Sequence, residues 1–259
     1  MNISMENQPI VFIPAAGLGS RLGALTAHKP KALVEFDGKP LLLHLLEKLR
    51  AEGFCKVVIN VHHYAQQIID YVKTPAVKGL CSIAISDESR LLLDTGGALV
   101  KALPLLNTDS VLVYNVDIFS DIDLRAFVAA FNRQGVDALL AVRNRDSSRK
   151  LLFKKNTLQL CGWKNEKTGE VKEVINSSCG SSIACGDAEA LAFSGIHIIK
   201  TELIKEMRNK FGFETPFSII DGYLYAASNA KILAFPHDSG VWEDMGNPKT
   251  SFQKTARRE

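Results

Sequence analysis

Short apolar runs alternate, through the first half of the chain, with stretches whose apolar residues recur at helical spacing. Ile10-Val11-Phe12-Ile13, Val57-Val58-Ile59-Asn60-Val61, Ser82-Ile83-Ala84-Ile85-Ser86, residues 111–117 and residues 138–142 read as strands. Between them Leu42, Leu45, Leu46 and Leu49 share one helical face, opened by Pro40 and stopped by Gly53. Ala65, Ile68, Ile69 and Val72, closed by Pro75, make a second face; Leu124, Phe127, Val128 and Phe131 make a third. Mostly apolar strands alternating with helices predict a parallel sheet covered on both faces.

Beyond about residue 145 the pattern changes. Leu151-Leu152-Phe153, Leu158-Gln159-Leu160 and residues 192–199 read as strands, residues 164–170 as a hairpin tip and residues 177–189 as a loop. Helices are expected over 201–209 and 217–227, a last strand over 231–235, and a terminal helix capped by Asn247-Pro248. The expected architecture is α/β, a Rossmann-like mixed, mostly parallel sheet with a small strand-rich insertion. It forms a single domain over residues 1–259, with no internal repeat or separating linker.

The 259 residues are 46% hydrophobic and 23% charged, an ordinary globular composition. A net charge of +3, spread along the chain, lacks the basic stripe of a nucleic-acid binder. No apolar run is long enough to cross a bilayer, and the polar N-terminus has no signal-peptide core. Cys55, Cys81, Cys161, Cys179 and Cys185 are odd in number and scattered, so neither a disulfide framework nor a zinc site is expected. A reducing cytoplasm follows as the expected location.

In open α/β sheets ligands bind beyond the carboxyl ends of the strands. Three notable stretches sit at such ends: residues 14–33, 60–64 and 115–117. The first is small and glycine-rich, then basic at Arg21, Lys29 and Lys31. Small residues let an anion reach the backbone N–H groups, and the following cations can neutralise it. A dinucleotide fingerprint fails at Leu22, and no Gly-Lys-Ser/Thr marks a P-loop. Glycines alone would favour a plain tight turn between strand and helix; the added Arg21 and Pro30-Lys31 favour a phosphate loop. His62 and His63 are assigned no catalytic role.

Ala15-Ala16-Gly17-Leu18-Gly19-Ser20-Arg21-Leu22, then Leu25-Thr26, then Pro30-Lys31-Ala32-Leu33, resembles the signature of sugar-1-phosphate nucleotidylyltransferases. These enzymes join a nucleoside monophosphate to a sugar 1-phosphate and release pyrophosphate. The resemblance implies their nucleotide-diphospho-sugar transferase fold, GT-A-like, with residues 9–145 as the nucleotide part. Residues 146–259 would carry the sugar part and the second metal ligand. It implies that Ala15, Ala16, Gly17, Gly19 and Ser20 wrap the triphosphate, that Arg21 meets its outer phosphates and that Lys31 contacts the reacting ones. Ser20 stands where threonine is usual, and Ala24 and Ala32 where prolines are; none of these changes removes a charge. Asn115-Val116-Asp117 resembles the family's Asn-Gly-Asp, which makes Asp117 a magnesium ligand and puts Asn115 beside the sugar. Trp242-Glu243-Asp244-Met245-Gly246 resembles Trp-x-Asp-x-Gly, which makes Asp244 the second ligand of Mg2+. Leu93-Asp94-Thr95-Gly96-Gly97 resembles the segment beside the base, with Glu88 as a base-reading group and Thr95 and Gly96 as nucleotide contacts. Helix capping by Asp94 or Thr95 is the plainer alternative and compatible with it. Phe193-Ser194-Gly195-Ile196 resembles the strand lining the sugar pocket, at Gly195.

The implied chemistry is in-line attack of a sugar phosphate oxygen on the nucleotide α-phosphorus. That phosphate is ionised near neutral pH and needs no general base. Short bacterial members make UTP with N-acetylmuramate 1-phosphate the first expected pair and GTP with mannose 1-phosphate the second. No hexapeptide repeat follows Asp244, so no appended acyltransferase domain is expected. A non-catalytic nucleotide-sugar sensor is the reading from another class; the retained Arg21, Lys31, Asp117 and Asp244 favour an enzyme, as a monomer or homodimer.

Overall fold

The computed structural model describes residues 8–175 and 185–247. In chain order its strands and α-helices are β1 (Ile10–Pro14), β2 (Glu35–Phe36), β3 (Lys39–Pro40), α1 (Leu41–Ala51), β4 (Lys56–Val61), α2 (Ala65–Tyr71), β5 (Ser82–Asp87), α3 (Asp94–Ala102), β6 (Ser110–Tyr114) and β7 (Ile118–Ser120). There follow α4 (Leu124–Gln134), β8 (Ala138–Arg143), β9 (Arg149–Lys154), β10 (Leu160–Asn165), β11 (Val171–Glu173), β12 (Ala188–Lys200), α5 (Thr201–Phe211), α6 (Ile219–Ala226), β13 (Ile232–Pro236) and β14 (Trp242–Asp244).

β1 lies inside the sheet, parallel to β4 on one side and to β6 on the other, and β5 extends β4 in the same sense. Alternate residues of β1 face opposite cores, because side chains alternate along a strand. Ile10 and Phe12 pack with residues of α3, α5 and α6, while Val11 and Ile13 pack with α1, α2 and α4. Helices thus cover both faces, as the apolar strands predict.

Direction reverses at β12, which runs antiparallel to β6. Its 13 residues serve two sets of partners. The first residues pair with β9, which leads through β10 to β11, and the rest lie between β6 and β8. The strand-rich region beyond residue 145 is therefore no separate layer but a continuation of one ten-stranded sheet. β12 begins at Ala188, inside the stretch expected to be loop. Leu158 and Gln159 stand outside β10: Leu158 takes a left-handed φ of 56°, and Gln159 bridges to Leu233. Cys161 and Cys185 are disulfide-bonded, which corrects the expectation drawn from their scatter. The pairing joins β10 to the approach to β12, a proximity that sequence spacing cannot reveal. Residues 185–187 of the expected loop are irregular, while residues 177–184 and the terminal helix beyond residue 247 lie outside the described residues.

Candidate active site

Parallel pairing puts the carboxyl ends of β1, β4 and β6 at one edge, where Pro14 is in register with Asn60. The phosphate loop leaves β1 there and tightens into a 3-10 turn over Ser20–Thr26. Thr26 holds it: its hydroxyl donates to the Gly19 carbonyl at 3.0 Å and is 3.2 Å from that of Gly23. Gly19 has φ of 66°, and a Cβ there would stand 2.8 Å from the Thr26 methyl. Only glycine fits both demands. The far end of the loop is held by α2 and the residue before it: the Tyr64 hydroxyl donates to the Ala27 carbonyl and the Gln67 amide to that of His28. At the start of the loop the N–H groups of Gly17, Leu18 and Gly19 have no partner among the described residues. Such a run of donors suits an anion.

Beside the loop four charged side chains converge from distant parts of the chain. β14 pairs antiparallel with β7, placing Asp244 opposite Ile118 and so beside Asp117. The Met245 N–H donates to the Asp117 carbonyl, and the Gly246 N–H to Asp244 Oδ1, each at 2.8 Å. Lys31 Nζ lies 2.5 Å from Asp117 Oδ2; Arg21 reaches Asp244 at 3.2 Å and Asp117 at 3.9 Å. Gly246 closes the cluster, since a Cβ on it would meet Asp117 Oδ2 at 2.6 Å and Asp244 Oδ1 at 2.9 Å. Two carboxylates offset by two cations leave the quartet formally neutral. A divalent cation fits this donor set: magnesium is held by one or two carboxylates, with water and phosphate oxygens completing its shell. Among the described residues no third acidic, histidine or cysteine ligand joins them.

A second layer, missed in the sequence, stiffens the loop. Asn60 Oδ1 accepts from the N–H of Ala15 at 2.6 Å and of Ala16 at 3.3 Å. Its amide donates to Glu88 Oε1 at 2.8 Å, while Glu88 Oε2 accepts from the Leu93 N–H at 3.2 Å. Glu88 is fully buried, and both its oxygens accept hydrogen bonds within the protein, one of them from Asn60, which also holds the loop. Burial raises its carboxyl above the ordinary value, against the Asn60 and Leu93 hydrogen bonds. The Ala15 and Ala16 amides, expected at the triphosphate, are turned to Asn60. Thr95 and Gly96 are engaged elsewhere too. The Thr95 hydroxyl accepts from Ile219 N–H, the Gly96 N–H donates to the Phe217 carbonyl, and the Phe217 ring covers Gly96. α3 starts after Leu93 with no side-chain cap, so neither Asp94 nor Thr95 has the capping place considered for it. Asp123, by contrast, caps α4 through the Ala126 N–H.

Next to Asn115, β12 bulges. Phe193 pairs with Val142 but His197 already with Leu140, so four steps along β12 match two along β8. Gly195 takes φ of 74° in the bulge, and a Cβ there would stand 2.8 Å from Asn115 Nδ2. Asn115 and Gly195 are thus neighbours, joined by the Asn115 N–H to the Gly195 carbonyl at 3.0 Å. The bulge also turns the Ser194 carbonyl to the Trp242 indole N–H at 2.9 Å. The Ser194 hydroxyl meets His237 Nε2 at 2.8 Å, and burial holds that imidazole down at about 4.

These sites can be set beside known proteins. A family model described as a MobA-like NTP transferase domain matches residues 11–180. The chain belongs to that family. A relative in Caulobacter vibrioides, N-acetylmuramate alpha-1-phosphate uridylyltransferase, is 32% identical over 249 residues, 96% of each chain. The mannose-1-phosphate guanylyltransferase catalytic subunit beta of Drosophila pseudoobscura pseudoobscura is 26% identical over 96% of this chain, which spans 62% of that protein. Among solved structures, HddC from Yersinia pseudotuberculosis complexed with GMP-PN matches with a TM-score of 0.74 and 20% identity, over 97% of this chain and 100% of that one. The chain is a sugar-1-phosphate nucleotidyltransferase with the mixed α/β sheet of that fold. Among the described residues no helix is long and apolar enough to cross a membrane.

Proposed function

We propose that the enzyme transfers the uridylyl group of UTP to N-acetylmuramate 1-phosphate, giving UDP-N-acetylmuramate and pyrophosphate. The Caulobacter relative, matched along almost the whole of both chains, supports this pair. The convergence of Arg21, Lys31, Asp117 and Asp244 beside the unpartnered loop amides supports the chemistry. A sugar phosphate oxygen attacks the α-phosphorus, and the bond from that phosphorus to the bridging oxygen breaks as pyrophosphate leaves. The loop amides and Arg21 receive the outer phosphates and the charge that builds on the leaving group. Lys31 aligns the reacting phosphates; the loop pinned by Thr26 and Asn60 needs little reorganisation to meet them. A magnesium ion held by Asp117 and Asp244 would supply charge neutralisation between the two reacting phosphates. Asn115 and Gly195 face the sugar. Glu88 is a positioning residue, acting through Asn60. We assign the activity to the cytoplasm, where nucleoside triphosphates are available.

The similarity to a mannose-1-phosphate guanylyltransferase subunit supports GTP with mannose 1-phosphate as a second reading. A panel of four nucleoside triphosphates against N-acetylmuramate, mannose and glucose 1-phosphates, with Mg2+ and pyrophosphate release as readout, decides among them. UTP with N-acetylmuramate 1-phosphate is expected to turn over fastest. Preference for GTP with mannose 1-phosphate would replace the first reading with the second, and nucleotide binding without pyrophosphate release from any pair would support a sensor.

A further inference from the structure

Arg145 belongs to no motif of the sequence, yet the fold carries it to the edge of the charged quartet. It lies between β8 and β9, and its guanidinium sits over the Trp242 ring, 4.0 Å from the centroid. Trp242 and Asp244 are two apart on β14, so they project from the same face of the strand. Arg21 pairs with Asp244, so Arg145 extends the row Lys31, Asp117, Arg21, Asp244 by one further cation, on the side of the β12 bulge.

The arginine is rigid but not neutralised. Its NH2 donates to the Phe193 carbonyl at 3.1 Å and its NH1 to the Asp146 carbonyl at 3.2 Å. Trp242 is itself fixed by the Ser194 carbonyl. Among the described residues Arg145 Nε is buried with no hydrogen-bond partner, and no carboxylate forms a salt bridge with Arg145. Burial, the largest effect, pulls the guanidinium below its ordinary value; the Asp244 carboxylate acts against that shift and the Arg143 cation adds to it. Backbone carbonyls and an aromatic face orient a guanidinium; they do not cancel its charge. A half-buried arginine with an idle donor suits an anion that arrives with the substrate.

The reaction brings two anions together: the loop amides and Arg21 take the outer phosphates, and Lys31 alone of the quartet's cations is placed at the reacting ones. We propose that Arg145 binds the phosphate of the incoming sugar 1-phosphate and holds it against the α-phosphorus. This rests on the sugar-1-phosphate transferase class but on no particular sugar or base. Trp242 is the platform that orients Arg145, and the β12 bulge is what orients Trp242.

The chain has two tryptophans, so in W163F the fluorescence reports Trp242 alone. Titration of W163F with inorganic phosphate, N-acetylmuramate 1-phosphate and unphosphorylated N-acetylmuramate needs no turnover. The two phosphates are expected to perturb Trp242 and to compete, with affinity about 30-fold weaker or lost in W163F/R145M. Equal phosphate affinity in both proteins overturns the proposal. So does an Arg145-dependent response to unphosphorylated N-acetylmuramate alone, which would give Arg145 to the sugar carboxylate. In turnover, R145M should lower kcat/KM for the sugar 1-phosphate about 100-fold while KM for the nucleotide stays within about 3-fold. R145K should recover part of the loss, because it restores charge but not the planar fork. Equal losses on both substrates would also overturn the assignment. If wild-type protein turns over no pair, the transferase reading falls, and the fluorescence arm still judges Arg145.

Discussion

Asn60→Ala tests how the loop is held. Asn60 is 3% exposed, and its side chain is the shared partner of the Ala15 N–H and the Glu88 carboxylate. Truncation strands both. An orphaned buried amide costs roughly 1–3 kcal/mol, and a lost hydrogen bond to a charged group about 1.5–3 kcal/mol. The 3.3 Å contact to Ala16 adds little. The sum is roughly 2.5–6 kcal/mol, a large part of the ~5–15 kcal/mol that holds a domain together. The loss should depend on pH. Burial already raises the Glu88 carboxyl, and removing the Asn60 donor raises it further. A carboxyl raised in the folded state contributes its full stability below its unfolded value and loses it as pH rises through the folded one. The penalty should therefore be smaller near pH 5 than near pH 8. Urea unfolding followed by circular dichroism at the two pH values measures it, with KM for the nucleotide as the functional readout. A loss under about 1 kcal/mol at both pH values, below the range for even one stranded group, would refute the reasoning. So would an equal loss at both.

Asp117→Ala should reduce pyrophosphate release by about 10²–10³-fold in a protein with unchanged circular dichroism, because a preorganised charge beside the reacting phosphates is removed; turnover close to wild type would remove Asp117 from the site. Gly246→Ala forces a methyl between Asp117 and Asp244, so a destabilisation of about 1–3 kcal/mol and a loss of turnover are expected; a variant with wild-type melting temperature and turnover would show that the carboxylates tolerate separation. His197 is buried against Phe193 and Tyr223 with both ring nitrogens unpartnered among the described residues, and burial holds its imidazole down at about 3. A histidine depressed in this way supports stability above its unfolded pKa and withdraws it as pH falls. His197→Phe should be neutral or stabilising near pH 7 and should lessen acid unfolding between about pH 6.5 and the folded value; an unchanged acid limb in an unfolding series would contradict this.

Much of the fold was legible because periodicity is local. The leucines of α1 and the apolar runs of β1 and β4 lie close to their expected bounds, since burial on two faces demands such residues wherever the strand pairs. The resemblance carried Arg21, Lys31, Asp117 and Asp244, and they do converge. Glu88, Thr95 and Gly96 were placed beside the nucleotide by the same route, yet their polar groups are engaged within the protein. A motif records that a residue type occurs at a position, not which way its hydrogen bonds point. Asn60 was visible only as a polar residue in an apolar strand, a signal that could have marked it as a buried hydrogen-bonding centre.

The sequence by itself determined the alternation of strands and helices, the glycine-rich loop and the charges available to it. Those properties follow from backbone sterics and from residues a few places apart. Only the tertiary structure decided that β12 would carry two sets of strands, that Cys161 would meet Cys185, and that Arg145 would lie on Trp242 at the end of the charged row. Each of these joins segments far apart in the chain, and their proximity is set by strand register and the β12 bulge.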